Sequence, residues 1–198
     1  MIVNKKHLYF VFKRILDIVV SLSGLILLSP LLIIVALVIK ADSPGPAIFR
    51  QERIGKDNKI FIMYKFRTMK IDTPQVAKEI LLKQGINTYM TRIGLFLRKM
   101  LIDEIPQLIN VLKGDMSLVG PRPALYNQYD LIEMRTKVGV HTLRPGMTGW
   151  AIIVGGEDLS LDEKVKADEY YLKNMSFMFD LKIILMTFRL FRKPKGIY

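Results

Sequence analysis

The clearest feature of the hydrophobic pattern is an uncharged apolar run near the N-terminus. It extends over Ile18–Ile39, and charged residues bound it on both sides. A membrane segment needs about 20 apolar residues, whereas the apolar core of a signal peptide has about 7–15 and precedes a small-residue cleavage site. The run is therefore interpreted as a retained membrane segment. It divides the chain into an anchor, residues 1–40, and a second domain, residues 41–198.

Two features of the run bear on how it meets the membrane. Pro30, preceded by Ser29, stands near its middle, and a proline removes a backbone hydrogen bond and kinks a helix. Positive residues, which mark cytoplasmic flanks, stand on both sides: Lys5, Lys6, Lys13 and Arg14 before the run, and Lys40, Arg50, Arg53 and Lys56 after it. A re-entrant helix, broken at Ser29-Pro30 with both ends in the cytoplasm, satisfies both features. A Pro-kinked transmembrane helix is the alternative, and the physical argument leaves the two open.

After the anchor, shorter periodic segments predict a mixture of strands and helices. Alternating residues predict strands at Ala47–Gln51 and Lys59–Phe66, joined as a hairpin through a turn at Gly55–Asn58. Thr91 is predicted to cap a helix and Gly114 to end one. The predicted helices are Pro74–Gln84, Thr91–Met100, Glu104–Leu112, Leu161–Leu172 and Phe177–Phe191, and Met116–Pro123 is predicted to be irregular.

The last predicted helix, Phe177–Phe191, combines apolar and aromatic residues with a basic end. Arg189, Arg192, Lys193 and Lys195 lie at or just beyond its C-terminus. A basic, aromatic amphipathic helix is typical of segments that lie in a membrane interface. Packing of the same helix on the domain core is the alternative interpretation.

Composition narrows the classes of protein that this pattern allows. The chain has 198 residues, a net charge of +12, 51% hydrophobic residues and no cysteine. The apolar content excludes a disordered chain, and the lack of cysteine excludes disulfides, thiol catalysis and cysteine zinc sites. His7 and His141 are the only histidines, so a multi-histidine metal site is excluded as well. A chain this basic has more apolar character than a soluble domain needs.

The segment that best fits a chemical role is an acidic pair, Asp103-Glu104, among basic residues. In the simpler interpretation, Asp103 is the N-cap of a helix and Glu104 is a first-turn acid that interacts favourably with the helix dipole. In the functional interpretation, the helix N-terminus lowers the pKa of the carboxylate and attracts phosphate oxygens. An ionised aspartate there can attack phosphorus or hold Mg2+ against a diphosphate. The pair by itself leaves both interpretations open.

Basic residues near this pair predict an anionic ligand. Arg98 precedes the pair, Arg122 lies in a Pro-Arg-Pro segment, Lys65 and Arg67 belong to the segment at the end of the second predicted strand, and Arg144 precedes a Pro-Gly turn. Guanidinium groups bind phosphate oxygens in a bidentate manner. Each residue alone fits a solvated surface charge. Together, in loops stiffened by proline and glycine, they predict a phosphate-binding site.

These residues belong to motifs that follow one another in a fixed order through nearly the whole chain. The motifs are Lys13-Arg14 with Asp17, Ser29-Pro30, residues 49–55 (FRQERIG), 65–69 (KFRTM), 103–107 (DEIPQ), 110–123 (NVLKGDMSLVGPRP) and Arg144-Pro145-Gly146. The chain thereby resembles the small monotopic bacterial phosphoglycosyl transferases, the bacterial sugar transferase family. So many ordered matches favour the functional interpretation of the acidic pair.

The resemblance implies an α+β fold. Its expected parts are an N-terminal re-entrant membrane helix broken at Ser29-Pro30, a small and mostly helical catalytic domain with a short β-hairpin, and interfacial amphipathic helices. Residues 1–40 would form the anchor. Residues 41–198 would form the catalytic domain, with its C-terminal interfacial helix, on the cytoplasmic face of the bacterial inner membrane.

The resemblance also implies a reaction. A UDP-sugar gives its sugar-1-phosphate to undecaprenyl phosphate and releases UMP, which initiates polysaccharide or glycoconjugate assembly. Asp103 is the implied nucleophile, forming a covalent intermediate, and the residue that holds Mg2+, while Glu104 supports it. The expected substrate-binding residues are Arg98, Arg122, Lys65, Arg67 and Arg144.

The expected partners are the UDP-sugar, undecaprenyl phosphate and membrane lipids; nucleic acid is not expected, and a homodimer is left open. A nucleic-acid-binding module with an apolar anchor is disfavoured, because the chain lacks a dense basic helix and an aromatic stacking motif. A membrane adaptor without enzymatic activity is the other alternative. One segment departs from the family: Ile152–Glu157 replaces a polar stretch that is common there, so the resemblance does not define the sugar.

Overall fold

The computed structural model of the chain describes residues 2–73 and 89–192, so the helix predicted over Pro74–Gln84 lies outside the described residues. The described residues are mostly helical, with two small two-stranded sheets, which confirms mixed α and β content. The helices are α1 (Ile2–Asp42), α2 (Arg92–Lys99), α3 (Gln107–Lys113), α4 (Tyr129–Lys137), α5 (Trp150–Val154), α6 (Leu161–Asn174) and α7 (Phe177–Arg192). The strands are β1 (Ile48–Ile54), β2 (Ile60–Phe66), β3 (Ser117–Val119) and β4 (Gly146–Thr148).

Helix α1 is one continuous element of 41 residues, with Pro30 inside it. The predicted break at Ser29-Pro30 is therefore not a division into two helices. Pro30 has no N–H group to donate to the carbonyl of Ile26, four residues earlier. The hydroxyl of Ser29 donates to that carbonyl instead, at 2.8 Å. The serine thus satisfies the acceptor that the proline leaves without a donor, which is one way in which membrane helices accommodate proline.

Most of α1 is apolar and is not covered by the rest of the described structure. The stretch from His7 to Asp42 is long and apolar enough to cross a membrane, and little of it is buried. Leu27 is 77% exposed, and Ile26 and Leu37 are each 63% exposed. Apolar patches of this size are rare on soluble monomers. The helix is therefore compatible with membrane association.

Polar side chains attach α1 to the folded domain on both sides of the apolar run. Before the run, Arg14 donates to the carbonyls of Val111 at 2.6 Å and Leu112 at 2.8 Å, where α3 ends. After the run, the carboxylate of Asp42 accepts a hydrogen bond from the amide of Ile93, in the first turn of α2, at 3.2 Å. Both ends of the apolar run are therefore held by the same domain.

The hairpin positions the next helix. β1 and β2 pair antiparallel and form the predicted hairpin, and Ile48 lies opposite Phe66. Asn110 of α3 is fully buried; its Oδ1 accepts a hydrogen bond from the amide of Tyr64 at 3.0 Å, and its Nδ2 donates to the carbonyl of Ile62 at 2.7 Å. These bonds attach α3 to β2. They place the turn before α3 beside Lys65, near the end of β2.

The sheet of β3 and β4 was not predicted, because strands of three residues give no periodic signal. The two strands are parallel, with Ser117 paired to Gly146. The amide of Gly120 donates to the carbonyl of Thr148 at 2.8 Å. A Cβ atom on Gly146 would overlap the amide nitrogen of Gly120, so glycine is needed for the two backbones to approach this closely. The segment predicted to be irregular, Met116–Pro123, therefore begins with a strand.

The helices after the hairpin agree with the predictions in part. Helices α2, α6 and α7 confirm their predicted segments, and Thr91 caps α2 by accepting a hydrogen bond from the amide of Gly94 at 3.0 Å. The start predicted for the helix Glu104–Leu112 is wrong, because a short 3-10 turn covers Ile102–Glu104 and α3 begins only at Gln107. Asp103 is therefore not an N-cap. Helices α4 and α5 were not predicted.

Helix α7 has features of both interpretations of the C-terminal segment, packing on the domain core and exposing apolar residues. On one face, Ile183 and Asp180 are buried, and Tyr171 of α6 donates to the carboxylate of Asp180 at 2.6 Å. Other residues remain exposed, including Met178 at 70% and Phe188 at 61%. The helix thus packs on the domain core and also presents apolar side chains to its surroundings.

Replacing Asp17 with alanine is expected to destabilise the protein by about 1–3 kcal/mol. Asp17 is 3% exposed and accepts hydrogen bonds from the amide of Leu118 at 2.9 Å and the hydroxyl of Ser117 at 3.1 Å, so its loss leaves a buried amide unpaired. Thermal unfolding in detergent measures the effect. Ser23→Ala, which alters an exposed serine of the same helix, is the matched control. An equal melting temperature for Asp17→Ala and the wild type would contradict the prediction.

Candidate active site

Asp103 lies in the 3-10 turn between α2 and α3 and is 6% exposed. The turn begins at Leu101, whose φ of 55° lies in the left-handed region, which is uncommon for residues other than glycine. Residues in such conformations cluster at functional sites. Oδ1 of Asp103 is buried and has no hydrogen-bond partner among the described residues. Because buried polar atoms are normally hydrogen-bonded, this oxygen is a candidate contact for a ligand, an ion or a water molecule.

The surroundings of Asp103 have opposing effects on its pKa. Burial raises the pKa of Asp103 to about 6 against the lowering effect of Lys65 and Arg98, and the carboxylate of Glu104 adds to the rise. The group is therefore ionised at neutral pH in a site that disfavours its charge. A carboxyl group tuned in this way by burial and by specific charged neighbours is typical of an active site.

Glu104 differs from Asp103 in the pKa of its carboxyl group. Nζ of Lys65 lies 2.7 Å from Oε1 of Glu104. Burial raises the pKa of Glu104, but Lys65, Arg122 and Arg98 outweigh burial and bring the pKa to about 2. Glu104 thus remains ionised as the ion-pair partner of Lys65, whereas Asp103 titrates close to neutral pH. The two adjacent carboxylates are suited to different roles.

Two of the predicted arginines belong to the same site. Arg98, in the last turn of α2, acts on the pKa of both carboxyl groups, and Arg122, in the loop after β3, acts on that of Glu104. Arg122 is an exposed residue, so it can meet a ligand from solvent. The fold therefore brings Lys65, Arg98 and Arg122 close enough to Asp103-Glu104 to act on the pKa of these carboxyl groups, and their binding of phosphate stays a prediction.

Arg53 of β1 joins this site although it was not predicted as a site residue. Burial and, to a smaller extent, Arg122 lower the pKa of Arg53 to about 10, while Glu104 opposes both effects. Its guanidinium group donates to Oε1 of Gln51 at 2.7 and 3.1 Å and to the carbonyl of Pro123 at 3.0 Å. The sequence feature that could have identified Arg53 is the motif of residues 49–55, which contains it. The resemblance assigns no substrate-binding role to that motif.

The structure gives Arg67 and Arg144 contacts with the main chain. Arg67 is 5% exposed and donates to the carbonyls of Ser43, at 2.7 Å, and Pro44, just after α1. Nε of Arg144 donates to the carbonyl of Gly114 at 2.8 Å, at the end of α3. These contacts support roles in holding α1 and α3, and the phosphate-binding role of both residues stays a prediction.

The donor set fits Mg2+ only in a particular way. Within residues 2–73 and 89–192, no group of three or more Asp, Glu or His side chains could hold a metal ion. Mg2+ is, however, usually bound by one or two carboxylates together with substrate phosphates and water. The buried Oδ1 of Asp103, without a protein partner, suits one such ligand position.

The chain also matches a known protein family. The profile of the bacterial sugar transferase family matches residues 8–193, which include most of the anchor, the hairpin, the acidic turn and the last two helices, α6 and α7. The chain belongs to this family. The resemblance found in the ordered sequence motifs is thereby confirmed.

Three relatives illustrate the members of the family. UDP-N-acetylgalactosamine-undecaprenyl-phosphate N-acetylgalactosaminephosphotransferase of Aeromonas hydrophila is 41% identical over 188 residues, 92% of this chain. UDP-glucose:undecaprenyl-phosphate glucose-1-phosphate transferase of Escherichia coli (strain K12) is 43% identical over 187 residues, 88% of this chain. Exopolysaccharide production protein PSS of Rhizobium leguminosarum bv. phaseoli is 40% identical over 191 residues, 89% of this chain. The chain spans 44% of the first relative, 39% of the second and 93% of the third.

The substitution Asp103→Asn is expected to stabilise the protein at pH 8. The pKa of Asp103 is about 6 in the folded chain, against 3.8 as the ordinary value, so ionisation opposes folding from about pH 4 upward and fully above pH 6. Asparagine removes that cost, and the expected gain is at most about 3 kcal/mol. Thermal unfolding in detergent measures it.

The pH dependence makes this prediction specific. The difference from the wild type should be present at pH 8 and nearly absent near pH 3, where Asp103 is mostly protonated in both the folded and the unfolded chain. Asp130→Asn, at an exposed position of α4, should change little at either pH. Destabilisation by Asp103→Asn at both pH values would contradict the prediction.

Proposed function

We propose that this chain transfers a sugar-1-phosphate from a UDP-sugar to undecaprenyl phosphate and releases UMP. The observation that carries the proposal is the buried Oδ1 of Asp103, without a protein partner and close to cations, in a member of the bacterial sugar transferase family. Two relatives, 41% and 43% identical to this chain, are named as transferases that connect a UDP-sugar with undecaprenyl phosphate. A phosphate-rich donor suits a site formed by Lys65, Arg98 and Arg122.

The proposed chemistry has two steps at one phosphorus atom. First, a carboxylate oxygen of Asp103 attacks the phosphorus that carries the sugar. The bond from that phosphorus to the bridging oxygen breaks, and UMP leaves with the bonding electrons. Second, a phosphate oxygen of undecaprenyl phosphate attacks the same phosphorus, and the Asp103 carboxylate leaves with the electrons of its bond. The nucleophile is regenerated, and one site serves a soluble and a lipid substrate in turn.

The surrounding charges suit this reaction. Phosphoryl transfer depends mainly on positioning and on neutralising the charge of the phosphate oxygens. Arg98 and Arg122 are the proposed phosphate ligands, and ionised Glu104 keeps Lys65 charged and oriented. Mg2+, when bound, neutralises charge on the diphosphate, and Asp103 is its proposed protein ligand.

The membrane position follows from the two substrates. A UDP-sugar is water-soluble, whereas undecaprenyl phosphate keeps its tail in lipid, so the site must lie at the depth of the headgroups. The exposed apolar residues of α1 and α7 supply contact with lipid. Arg14 and Asp42 attach the same domain to both sides of the apolar run, which supports a helix that enters and leaves on the cytoplasmic face. The positive residues on both flanks agree with this topology.

The sugar itself is left open by the phosphate site. The two relatives named above differ in their sugar, N-acetylgalactosamine in one and glucose in the other. We therefore place sugar recognition outside the cluster of Asp103, Lys65, Arg98 and Arg122. Residues 152–157, where this chain departs from the polar stretch common in the family, are the proposed region.

A panel of UDP-sugars tests the reaction. The detergent-solubilised protein with Mg2+ and undecaprenyl phosphate should release UMP from at least one of them. Asp103→Asn should lower the rate by roughly 10³-fold or more, because the neutral amide is not a nucleophile. Asp130→Asn is the matched control. Full activity of Asp103→Asn would refute the nucleophile, and no release from any UDP-sugar would favour a membrane adaptor without enzymatic activity.

Cysteine labelling tests the topology, because the chain has no native cysteine. His7→Cys and Lys56→Cys place single thiols at exposed positions before and after the apolar run. Both thiols should resist a membrane-impermeant reagent in intact spheroplasts and react after permeabilisation. Labelling of one position alone in intact spheroplasts would mean that α1 crosses the membrane.

A further inference from the structure

The loop that carries Arg122 is held by every one of its carbonyl groups. We define this Arg122 loop as residues 121–124. The carbonyl of Pro121 accepts a hydrogen bond from the amide of Gly146 at 2.8 Å, and that of Ala124 from the amide of Ile54 at 2.9 Å. The two central carbonyls, of Arg122 and Pro123, accept hydrogen bonds from arginine side chains at 2.8 and 3.0 Å. Main-chain and side-chain donors thus fix four consecutive residues.

The two prolines limit the ways in which the loop can be attached. Proline has no N–H group, so Pro121 and Pro123 cannot donate to a strand ladder. Only their carbonyls can attach them to neighbouring elements. The donor for the carbonyl of Pro123 is Arg53 of β1, and the donor for the carbonyl of Arg122 is Arg135 of α4. The loop is therefore attached to two separate elements at its centre.

Arg135 is itself held by a buried acid. Its Nε and Nη2 donate to Oδ2 of Asp168, on α6, at 3.0 and 2.6 Å, while its Nη1 reaches the Arg122 carbonyl. The side chains of Arg135 and Asp168 are 11% and 2% exposed. A buried ion pair contributes little net stability compared with apolar residues of similar size, so its geometry needs another explanation. Here the pair directs one N–H group at a single carbonyl.

We propose that Arg135 and Asp168 are positioning residues that set the location of Arg122 toward the donor phosphates. The inference rests on the proposed function, in which Arg122 binds a phosphate oxygen. A group held in place before the substrate binds loses little freedom on binding, and a displacement of 1 Å can cost about 100-fold in rate. Lysine cannot replace Arg135, because one ammonium group cannot match the fixed fork that spans Asp168 and the Arg122 carbonyl.

The substitution Arg135→Lys therefore keeps the positive charge but cannot donate to Asp168 and to the Arg122 carbonyl in the same fixed geometry. It is expected to lower kcat/KM for UMP release by about 10- to 100-fold. Lys137→Ala is the matched control, since it alters an exposed cation of the same helix that pairs only with Glu133 among the described contacts. Asp168→Asn keeps the shape of the acid and should show a smaller loss of the same kind, and it serves if Arg135→Lys does not fold.

A double-mutant cycle separates positioning from a merely structural role. Arg122→Ala removes the guanidinium group but keeps the carbonyl that Arg135 binds. If Arg135 acts through Arg122, the lysine substitution should lower kcat/KM less than twofold in the Arg122→Ala background. An equal loss of kcat/KM in both backgrounds would overturn the proposal, because it would mean that Arg135 acts independently of Arg122.

Hydrogen exchange gives a readout that does not depend on the reaction. In Arg135→Lys, the peptide that contains residues 120–125 should exchange at least fivefold faster than in the wild type, and Lys137→Ala should leave it unchanged. Unchanged exchange in Arg135→Lys would refute the positioning role. A wild-type protein that releases no UMP would refute the proposed function instead, and the exchange result would still decide whether Arg135 holds the loop.

Discussion

The site is organised around one buried carboxylate oxygen that has no hydrogen-bond partner among the described residues. Oδ1 of Asp103 is buried without a hydrogen-bond partner, in a turn that begins with a left-handed leucine. Such an arrangement persists only when its surroundings stabilise it. Burial raises the pKa of this carboxyl group to about 6, the cations Lys65 and Arg98 limit the rise, and the carboxylate of Glu104 adds to it. The fold thus maintains a carboxylate that is ionised at neutral pH and ready for a partner from outside the chain.

The anchor and this carboxylate are connected through short structural paths. The carboxylate of Asp42, at the end of α1, binds the first turn of α2, and the last turn of α2 carries Arg98 and leads into the turn of Asp103. Arg67 secures the residues just after α1 from the end of β2, and Lys65 lies two residues before it. The position of α1 therefore determines the position of the acidic turn relative to the apolar run. For the proposed lipid substrate, whose phosphate would stay near the headgroups, that relation matters as much as the charges.

The sequence predicts those parts of the molecule that depend on local pattern or on several ordered motifs. The apolar run, the hairpin, the cap at Thr91 and the end of α3 at Gly114 all have local signals. The β3–β4 pairing has none, because each strand has three residues and its partner lies far along the chain. Asp103 resembles an N-cap in sequence, but the left-handed Leu101 diverts the chain into a tight turn, and no residue type announces that conformation. Motifs found the acidic pair, and only the fold shows how it is buried.

The arginines show why charge alone is a poor guide to ligand contacts. The positive charge first indicated an anionic ligand, yet Arg14, Arg53, Arg67, Arg135 and Arg144 all donate to main-chain carbonyls. A guanidinium group suits that task because its donors are rigid and several, and because it holds its charge when partly buried. The five carbonyl-binding arginines hold α1, α3 and the loops in place. Arg98 and Arg122, which act on the pKa of the acidic pair, are the proposed phosphate ligands, and other arginines hold the framework around them.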